Sequence, residues 1–188
     1  DVPTDINRII LVASGSSYHC ARYAAELFSS ISKIEASAIY SSEFLLEDTI
    51  AHSDNILYIF ITQSGETTDT NSALEKAKEH GVKTLCITNK ENSTIWNASD
   101  YKVACLAGEE KSIAATKSFV SQLLCSTLLA LKFAQIQGID TYDYTLDLKM
   151  IPSFINKSFE LQPKIKQLAR FLSKYKNVVM TADGQSYA

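Results

Sequence analysis

Residues 56–67 read Ile56-Leu57-Tyr58-Ile59-Phe60-Ile61-Thr62-Gln63-Ser64-Gly65-Glu66-Thr67. Six apolar residues are followed at once by a turn in which hydroxyl side chains surround one glycine, and a helical pattern then runs over residues 69–80. A short continuous apolar run that is bounded by turn residues is typical of a strand buried on both faces. The stretch therefore predicts a buried strand, a tight turn and a helix.

Similar runs occur elsewhere in the chain. Arg8–Ala13 is followed by the turn Ser14-Gly15-Ser16-Ser17, and residues 82–88 form a third apolar run, while residues 36–40 and 101–106 are weaker strand candidates. Strands that alternate with helices form parallel sheets with right-handed crossovers. The sequence therefore predicts an α/β fold with three α/β/α layers and a doubly wound, five-stranded parallel sheet of the flavodoxin-like type.

Composition narrows the class of function. The 188 residues carry a formal charge of −3, whereas nucleic-acid binding usually requires a basic surplus, so no nucleic-acid partner is expected. We find no apolar run of the roughly 18–20 residues that a membrane span needs and no signal peptide, so no membrane is expected and the cytoplasm is the default location. The cysteines have no metal-ligand or disulfide spacing; they are Cys20, Cys86, Cys105 and Cys125.

A short internal repeat predicts how the chain is divided. Residues 178–187 align without gaps on residues 9–18, since both read as an apolar strand followed by Ala-x-Gly-x-Ser-Tyr. The simplest interpretation is a second copy of the same domain that begins here, which makes the chain a fragment. We therefore expect one domain over residues 1–140, a connecting segment with a helix over 141–174, and the first strand and turn of a second domain over 175–188.

The two polar turns have the chemistry of an anion site. Gly15 and Gly65 let the backbone turn sharply, and the first N–H groups and the dipole of the following helix favour a negative charge. The turns lack the Gly-Lys-Ser/Thr of a nucleotide phosphate loop and the three-glycine dinucleotide fingerprint, so a phosphate monoester is favoured. The alternative is that the hydroxyls only cap helices. The position of Lys117 has two explanations: either an anion lies nearby, or the lysine side chain is simply solvated.

Three motifs together resemble the sugar isomerase (SIS) domain family. They lie at residues 14–18, 62–70 and 110–119, and the likeness extends from about residue 8 to residue 133. The resemblance implies a sugar-phosphate ligand and assigns the phosphate to Ser17, Thr62, Gln63, Ser64 and Thr67. It places Ser16 and the backbone around Ile113 at the sugar, with Gly15, Gly65 and Lys117 in supporting positions.

The resemblance also implies what the chain lacks. In the family, the acid–base residues are a His, a Glu and a Lys from a second SIS domain and the chain's tail, so no catalytic residue is expected in this chain. It should bind its ligand without turning it over. No metal and no cofactor are expected.

The likeness is greatest to the first of two SIS domains in enzymes that join aldose–ketose isomerisation to amine transfer, which implies fructose 6-phosphate or glucosamine 6-phosphate as the ligand. The segment Ser112-Ile113-Ala114-Ala115-Thr116-Lys117 also resembles two-SIS sugar-phosphate deaminases and ketosamine-phosphate deglycases. A third alternative is the sugar-phosphate sensor domain of a transcription regulator. The apolar helix predicted over residues 114–137 suggests a homodimer.

Overall fold

The computed structural model describes residues 2–182 and residue 184. The chain divides into two compact units, one of which extends to Ile139 and the other of which begins at Asp140. Each unit is described separately below, and the first contains every predicted site residue.

A five-stranded sheet forms the centre of the first unit. Its strands are all parallel and lie in the order β2-β1-β3-β4-β5. The strands are β1 (Arg8–Ala13), β2 (Glu35–Tyr40), β3 (Ile56–Thr62), β4 (Lys83–Thr88) and β5 (Tyr101–Ala104). All seven residues of β3 are buried, as their uninterrupted apolar character predicts. The order reverses between β1 and β3, which makes the sheet doubly wound, and the predicted fold class is confirmed.

Helices cover both faces of the sheet. They are α1 (Ser16–Leu27), which continues into a π-helical turn (Phe28–Ser32), α2 (Ser41–Leu46), α3 (Thr68–Glu79), α4 (Thr94–Ala98) and α5 (Lys117–Ile136). Helix α5 packs on α1, while α3 packs on α2 and α4. Phe28 and Phe133 meet edge to face at 5.8 Å between α5 and the π-helical turn, and both are fully buried. These layers hold the ends of β1 and β3 at a fixed edge of the sheet.

Helix α5 is the element that bears on the expectation of no membrane span. Among the described residues it is long and apolar enough to cross a membrane by length and composition, with a mean hydropathy of 1.5 and 39% of that window buried. The sequence of α5 does not show an unbroken apolar run of this length, because Ser and Thr residues interrupt it. Core helices of globular proteins also pass this test. The packing of α5 on α1 accounts for the buried part of its apolar surface.

The second unit is helical from Tyr142 to Leu172. It contains α6 (Tyr142–Ser158), a 3₁₀ turn (Phe159–Leu161) and α7 (Gln162–Leu172). The sequence predicts a connecting segment with a helix over residues 141–174. A helix begins at Tyr142, whose N–H donates to the side chain of Asp140 at 2.9 Å. The predicted helical segment is divided into α6 and α7.

The repeat near the carboxyl end does not form a strand. Residues 178–182 are exposed and have no strand assignment, because a strand needs a hydrogen-bonded neighbour and none lies beside them among the described residues. The predicted turn falls on residues 183–187, of which only Gly184 is described. The division into 1–140, 141–174 and 175–188, with its second domain, stays a prediction.

Candidate functional site

A cavity of about 320 Å³ opens at the carboxyl ends of β1 and β3. The two strands are neighbours in the sheet, and the strand order reverses between them. Ligands of doubly wound sheets bind beyond the carboxyl ends of the strands at such a reversal. The lining residues come from three segments and are Ser14, Gly15, Ser16, Ser17, Thr62, Gln63, Ser64, Thr67, Glu110, Ser112, Ile113 and Ala115.

The β3–α3 turn is held by hydrogen bonds between its own polar groups. The hydroxyl oxygens of Thr62 and Thr67 lie 2.9 Å apart and close the turn at its base. The hydroxyl oxygen of Ser64 accepts the N–H of Glu66 at 3.1 Å, so its proton is free to be donated into the cavity. This turn therefore presents its hydroxyls at the amino end of α3 before any ligand binds.

Gly65 supports the turn from outside the cavity. Its φ is +70°, and a Cβ at this position would lie 2.0 Å from the Oγ of Ser93. Its carbonyl accepts the N–H of Ile95 at 3.2 Å and the side-chain amide of Asn71 at 3.3 Å. Only glycine fits here, since the turn must adopt a left-handed backbone while it packs directly on the loop that follows β4.

The β1–α1 turn contributes the opposite wall. Gly15, at φ +57° and ψ −136°, lets the chain turn directly from the strand into α1, and Ser16 and Ser17 are the first residues of that helix. Ser17 is 6% exposed and donates its hydroxyl to Oε1 of Gln122 at 3.1 Å. Gln122, on α5, is a contact that sequence reasoning missed, because no local pattern links two residues 105 positions apart.

Glu110 is the ionisable residue among those that line the cavity. Its carboxylate accepts hydrogen bonds from the N–H and hydroxyl of Thr116 at 3.1 and 3.0 Å, and from those of Ser118 at 3.1 and 2.7 Å. These bonds, led by the one from the Ser118 hydroxyl, lower the pKa of Glu110 from 4.5 to about 2. Glu110 therefore caps α5 in the charged form. Glu110 lies in the motif over residues 110–119, and the sequence alone predicts no role for it.

Ile113 and Lys117 occupy different surroundings. The side chain of Ile113 is fully exposed, although the residue lines the cavity. Lys117 is the first residue of α5, is exposed and does not line the cavity. A Cβ on Gly108 would lie 3.9 Å from its Nζ, which places the lysine beside the β5–α5 loop. The structure thus brings together all the predicted ligand-contacting residues, while Gly65 and Lys117 lie outside the lining.

Glu66 does not belong to the lining either. Its carboxylate accepts the N–H of Thr94 at 2.9 Å and the hydroxyl of Thr94 at 2.7 Å. These bonds lower the pKa of Glu66, the one from the hydroxyl contributing most. The carboxylate therefore caps the start of α4. This contact connects the β3–α3 turn to the segment that follows β4.

The polar groups around the cavity are helix ends, neutral hydroxyls and one ionised carboxylate. The amino ends of α1 and α3 meet at the cavity, and the dipoles of these helices are directed so as to supply positive potential there. Hydroxyl groups add donors without charge, and Glu110 offsets the dipole of α5 at the third side. Among the described residues there is no group of three His, Cys, Asp or Glu side chains that could hold a metal ion.

The strand order and the position of the cavity define a doubly wound α/β domain with a site at the reversal of the sheet, and the comparison with known families identifies it. Residues 4–132 match the family described as SIS domain. The chain belongs to the SIS domain family, as its motifs predicted.

Relatives within this family share most of the chain. Glutamine–fructose-6-phosphate aminotransferase [isomerizing] of Campylobacter jejuni is 37% identical over 167 residues, which are 89% of this chain and 28% of that protein. The enzyme of the same name from Methanocaldococcus jannaschii is 35% identical over 184 residues, or 98% of this chain and 16% of that protein. The chain thus spans less than a third of the length of these relatives.

Solved structures agree with the sequence relatives. The C-terminal domain of glucosamine-fructose-6-phosphate aminotransferase from Francisella tularensis superposes with a TM-score of 0.85 at 30% identity, covering 90% of this chain and 48% of that one. Glucosamine-6-phosphate deaminase from Thermotoga maritima superposes with a TM-score of 0.70 at 26% identity, covering 84% of this chain and 48% of that one.

Proposed function

We propose that the cavity binds the phosphate group of a sugar phosphate. The observation that carries the proposal is the meeting of two hydroxyl-rich turns, each at the amino end of a helix, at the reversal point of the sheet. Neutral donors at helix ends suit a phosphate monoester, and the lining contains no cation for a triphosphate. Phosphate contacts are assigned to Ser17, Thr62, Gln63, Ser64 and Thr67. Ser16 and the backbone at Ile113 are assigned to the sugar.

We assign the proposed reaction to a protein of the length of these relatives, since the chain spans less than a third of each of them. The relatives in Campylobacter jejuni and Methanocaldococcus jannaschii are named for aminotransfer with isomerisation of fructose 6-phosphate. By analogy, this chain binds fructose 6-phosphate or glucosamine 6-phosphate, while acid–base groups outside it carry out the proton transfers. The only ionisable residue of the lining, Glu110, is fully engaged as a helix cap, which supports assigning no catalytic residue to this chain.

Isothermal titration calorimetry of the 188-residue chain tests this division of roles. Fructose 6-phosphate should bind, while fructose should bind far more weakly because it lacks the charged group that the helix ends stabilise. The chain should show no isomerisation of the bound sugar phosphate. Equal affinity for fructose and fructose 6-phosphate would contradict the phosphate assignment, and measurable turnover would contradict the absence of catalytic groups.

A second candidate reaction is deamination or deglycation. It is favoured by the similarity to the Thermotoga maritima deaminase and by the segment 112–117, which carries Ala115. The discriminating experiment uses the longer protein that contains this chain. Ammonia released from glucosamine 6-phosphate in the absence of glutamine would favour a deaminase, whereas glutamine-dependent formation of glucosamine 6-phosphate from fructose 6-phosphate would favour the aminotransferase.

The partner and the location are part of the proposal. The exposed residues Val120, Leu124 and Leu128 are spaced four apart along α5. Since α5 carries no charge between Lys117 and Lys132, two copies could pair through this face without repulsion between like charges, and we assign it to a homodimer. Light scattering that reports a monomer, unchanged by Leu124→Glu, would reject the dimer.

The four cysteines are free, which suits the cytoplasm.

A further inference from the structure

Gln122 carries a buried amide that does not line the cavity itself. It is connected to the cavity through the side chain of Ser17. It is 1% exposed, and its Oε1 accepts the hydroxyl proton of Ser17 at 3.1 Å. Two similar contacts follow along the same pair of helices, between Cys20 and Ser126 at 3.5 Å and between Tyr23 and Thr127 at 3.2 Å. Of these side chains only Ser17 lines the cavity.

The direction of this hydrogen bond determines what Ser17 can offer a ligand. A serine hydroxyl has one proton, and the oxygens of a phosphate dianion can only accept. While Gln122 accepts that proton, Ser17 presents lone pairs to the cavity. In this arrangement Ser17 would repel the anion that its position at the amino end of α1 is suited to bind.

We infer that Gln122 is a positioning residue that turns Ser17 into a donor when a phosphate binds. A half-turn of the amide exchanges Oε1 with Nε2, so that the amide N–H donates to the Ser17 oxygen and the hydroxyl proton is released toward the phosphate. Both arrangements keep the buried pair hydrogen-bonded, and the exchange leaves no polar group unpaired between them. The inference rests on the proposed phosphate site.

Two substitutions of similar size separate the possible roles of Gln122. In Gln122→Glu an ionised carboxylate can only accept, so at a pH high enough to ionise this buried group it should retain the proton of Ser17 and weaken the binding of fructose 6-phosphate by about tenfold or more. In Gln122→Met the side chain makes no such bond, Ser17 is free to donate, and the affinity should rise by up to about threefold over the wild type. Ser126→Ala, one turn along the same helix contact, is the control that should leave affinity unchanged.

A double variant distinguishes this role from simple charge repulsion. If Gln122 acts through Ser17, Ser17→Ala with Gln122→Glu should bind no more weakly than Ser17→Ala alone. A full additional loss in the double variant would overturn the inference, because the new charge would then act without Ser17. An affinity of Gln122→Met as low as that of Gln122→Glu would overturn it as well. Thermal unfolding of each variant verifies the fold.

If the glutamate variant does not fold, Gln122→Met carries the test. A gain in affinity of up to about threefold supports the role, because Ser17 no longer has to leave its acceptor before it donates to the phosphate. An unchanged affinity, or a loss comparable to that of Ser17→Ala, contradicts it. The proposed function is judged separately, because its failure would appear as an absence of fructose 6-phosphate binding by the wild-type chain. Binding by the wild type with no effect of either Gln122 substitution would leave the phosphate site standing and remove only the inference about Gln122.

Discussion

Gly65 lies directly against Ser93, so closely that a Cβ on residue 65 would come within 2.0 Å of the serine Oγ and 2.4 Å of its Cβ. Ser93 cannot easily withdraw, because its hydroxyl donates to the carbonyl of Lys90 at 2.7 Å and its backbone begins α4. The β3–α3 turn and the loop after β4 therefore share one tight contact. The glycine is required both by this contact and by its left-handed backbone.

Gly65→Ala should accordingly destabilise the protein by about 2–5 kcal/mol, as the sum of backbone strain and overpacking. Chemical denaturation measures the loss. Gly138→Ala is the matched control: Gly138 has φ +75°, but nothing lies within 4 Å of an added Cβ, so only strain of about 1–2 kcal/mol is expected. Adding Ser93→Gly to Gly65→Ala should recover part of the stability. Equal losses at Gly65 and Gly138 would contradict the contact argument.

Glu110 should make stability depend on pH in the acid range. Its pKa is about 2 in the folded chain and 4.5 in the free side chain, so the charged form is favoured by folding. The stabilisation is complete above about pH 4.5 and is lost as the pH falls from there toward about 2. Denaturation measured between about pH 6 and about pH 3 should show a smaller loss for Glu110→Gln than for the wild type.

Ser118→Ala provides the intermediate case for this prediction. The substitution removes the 2.7 Å bond that contributes most to the low pKa of Glu110, so the folded pKa should rise and the acid-dependent loss should shrink. A pH profile of Ser118→Ala identical to that of the wild type would show that the helix cap does not control the carboxylate.

The pair Thr62 and Thr67 leads to a prediction about ligand affinity. Thr62 is 2% exposed, and its hydroxyl lies 2.9 Å from that of Thr67. Thr62→Val should weaken fructose 6-phosphate binding by about 0.5–1.5 kcal/mol, since the hydroxyl of Thr67 loses its partner. Thr62→Ser keeps a hydroxyl and should preserve the affinity in calorimetry. Equal weakening by serine and valine would mean that the methyl group, rather than the hydroxyl, maintains the turn.

The sheet was predictable because a strand that is buried on both faces has a continuous apolar sequence. Every residue of β3 is buried, and its run contains no polar residue before Thr62. Helix α2 was missed, because its six residues are too few for a helical period to be visible. The start of α6 at Tyr142 could not be located within the expected connecting segment, since its tyrosines form neither a cap nor an apolar stripe.

The site was predictable only where its residues are close in sequence. The turn from Thr62 to Thr67 could be identified because one segment supplies a strand end, a glycine, the hydroxyls and a helix start. The roles of Glu110, Gln122 and Ser93 could not be predicted, since each depends on a partner that folding brings near. Glu110 reaches over six and eight residues to Thr116 and Ser118, and no capping motif has that spacing.

Ser64 offers the most direct test of the phosphate assignment. Its oxygen already accepts the N–H of Glu66 at 3.1 Å, so its proton remains available, in contrast to the proton of Ser17. Ser64→Ala should weaken the binding of fructose 6-phosphate by about 1.5–3 kcal/mol, the range for hydrogen bonds to charged groups. The loss should be absent for fructose, because only the phosphate is expected to contact this hydroxyl.

Ser30→Ala is the control for Ser64→Ala, since Ser30 is exposed and its hydroxyl donates to the carbonyl of Leu27 within its own helix. It should leave affinity for fructose 6-phosphate unchanged. An unchanged affinity of Ser64→Ala would remove Ser64 from the site. A loss that is equal for fructose and fructose 6-phosphate would place Ser64 at the sugar, and the phosphate would then have to lie on the side of α1.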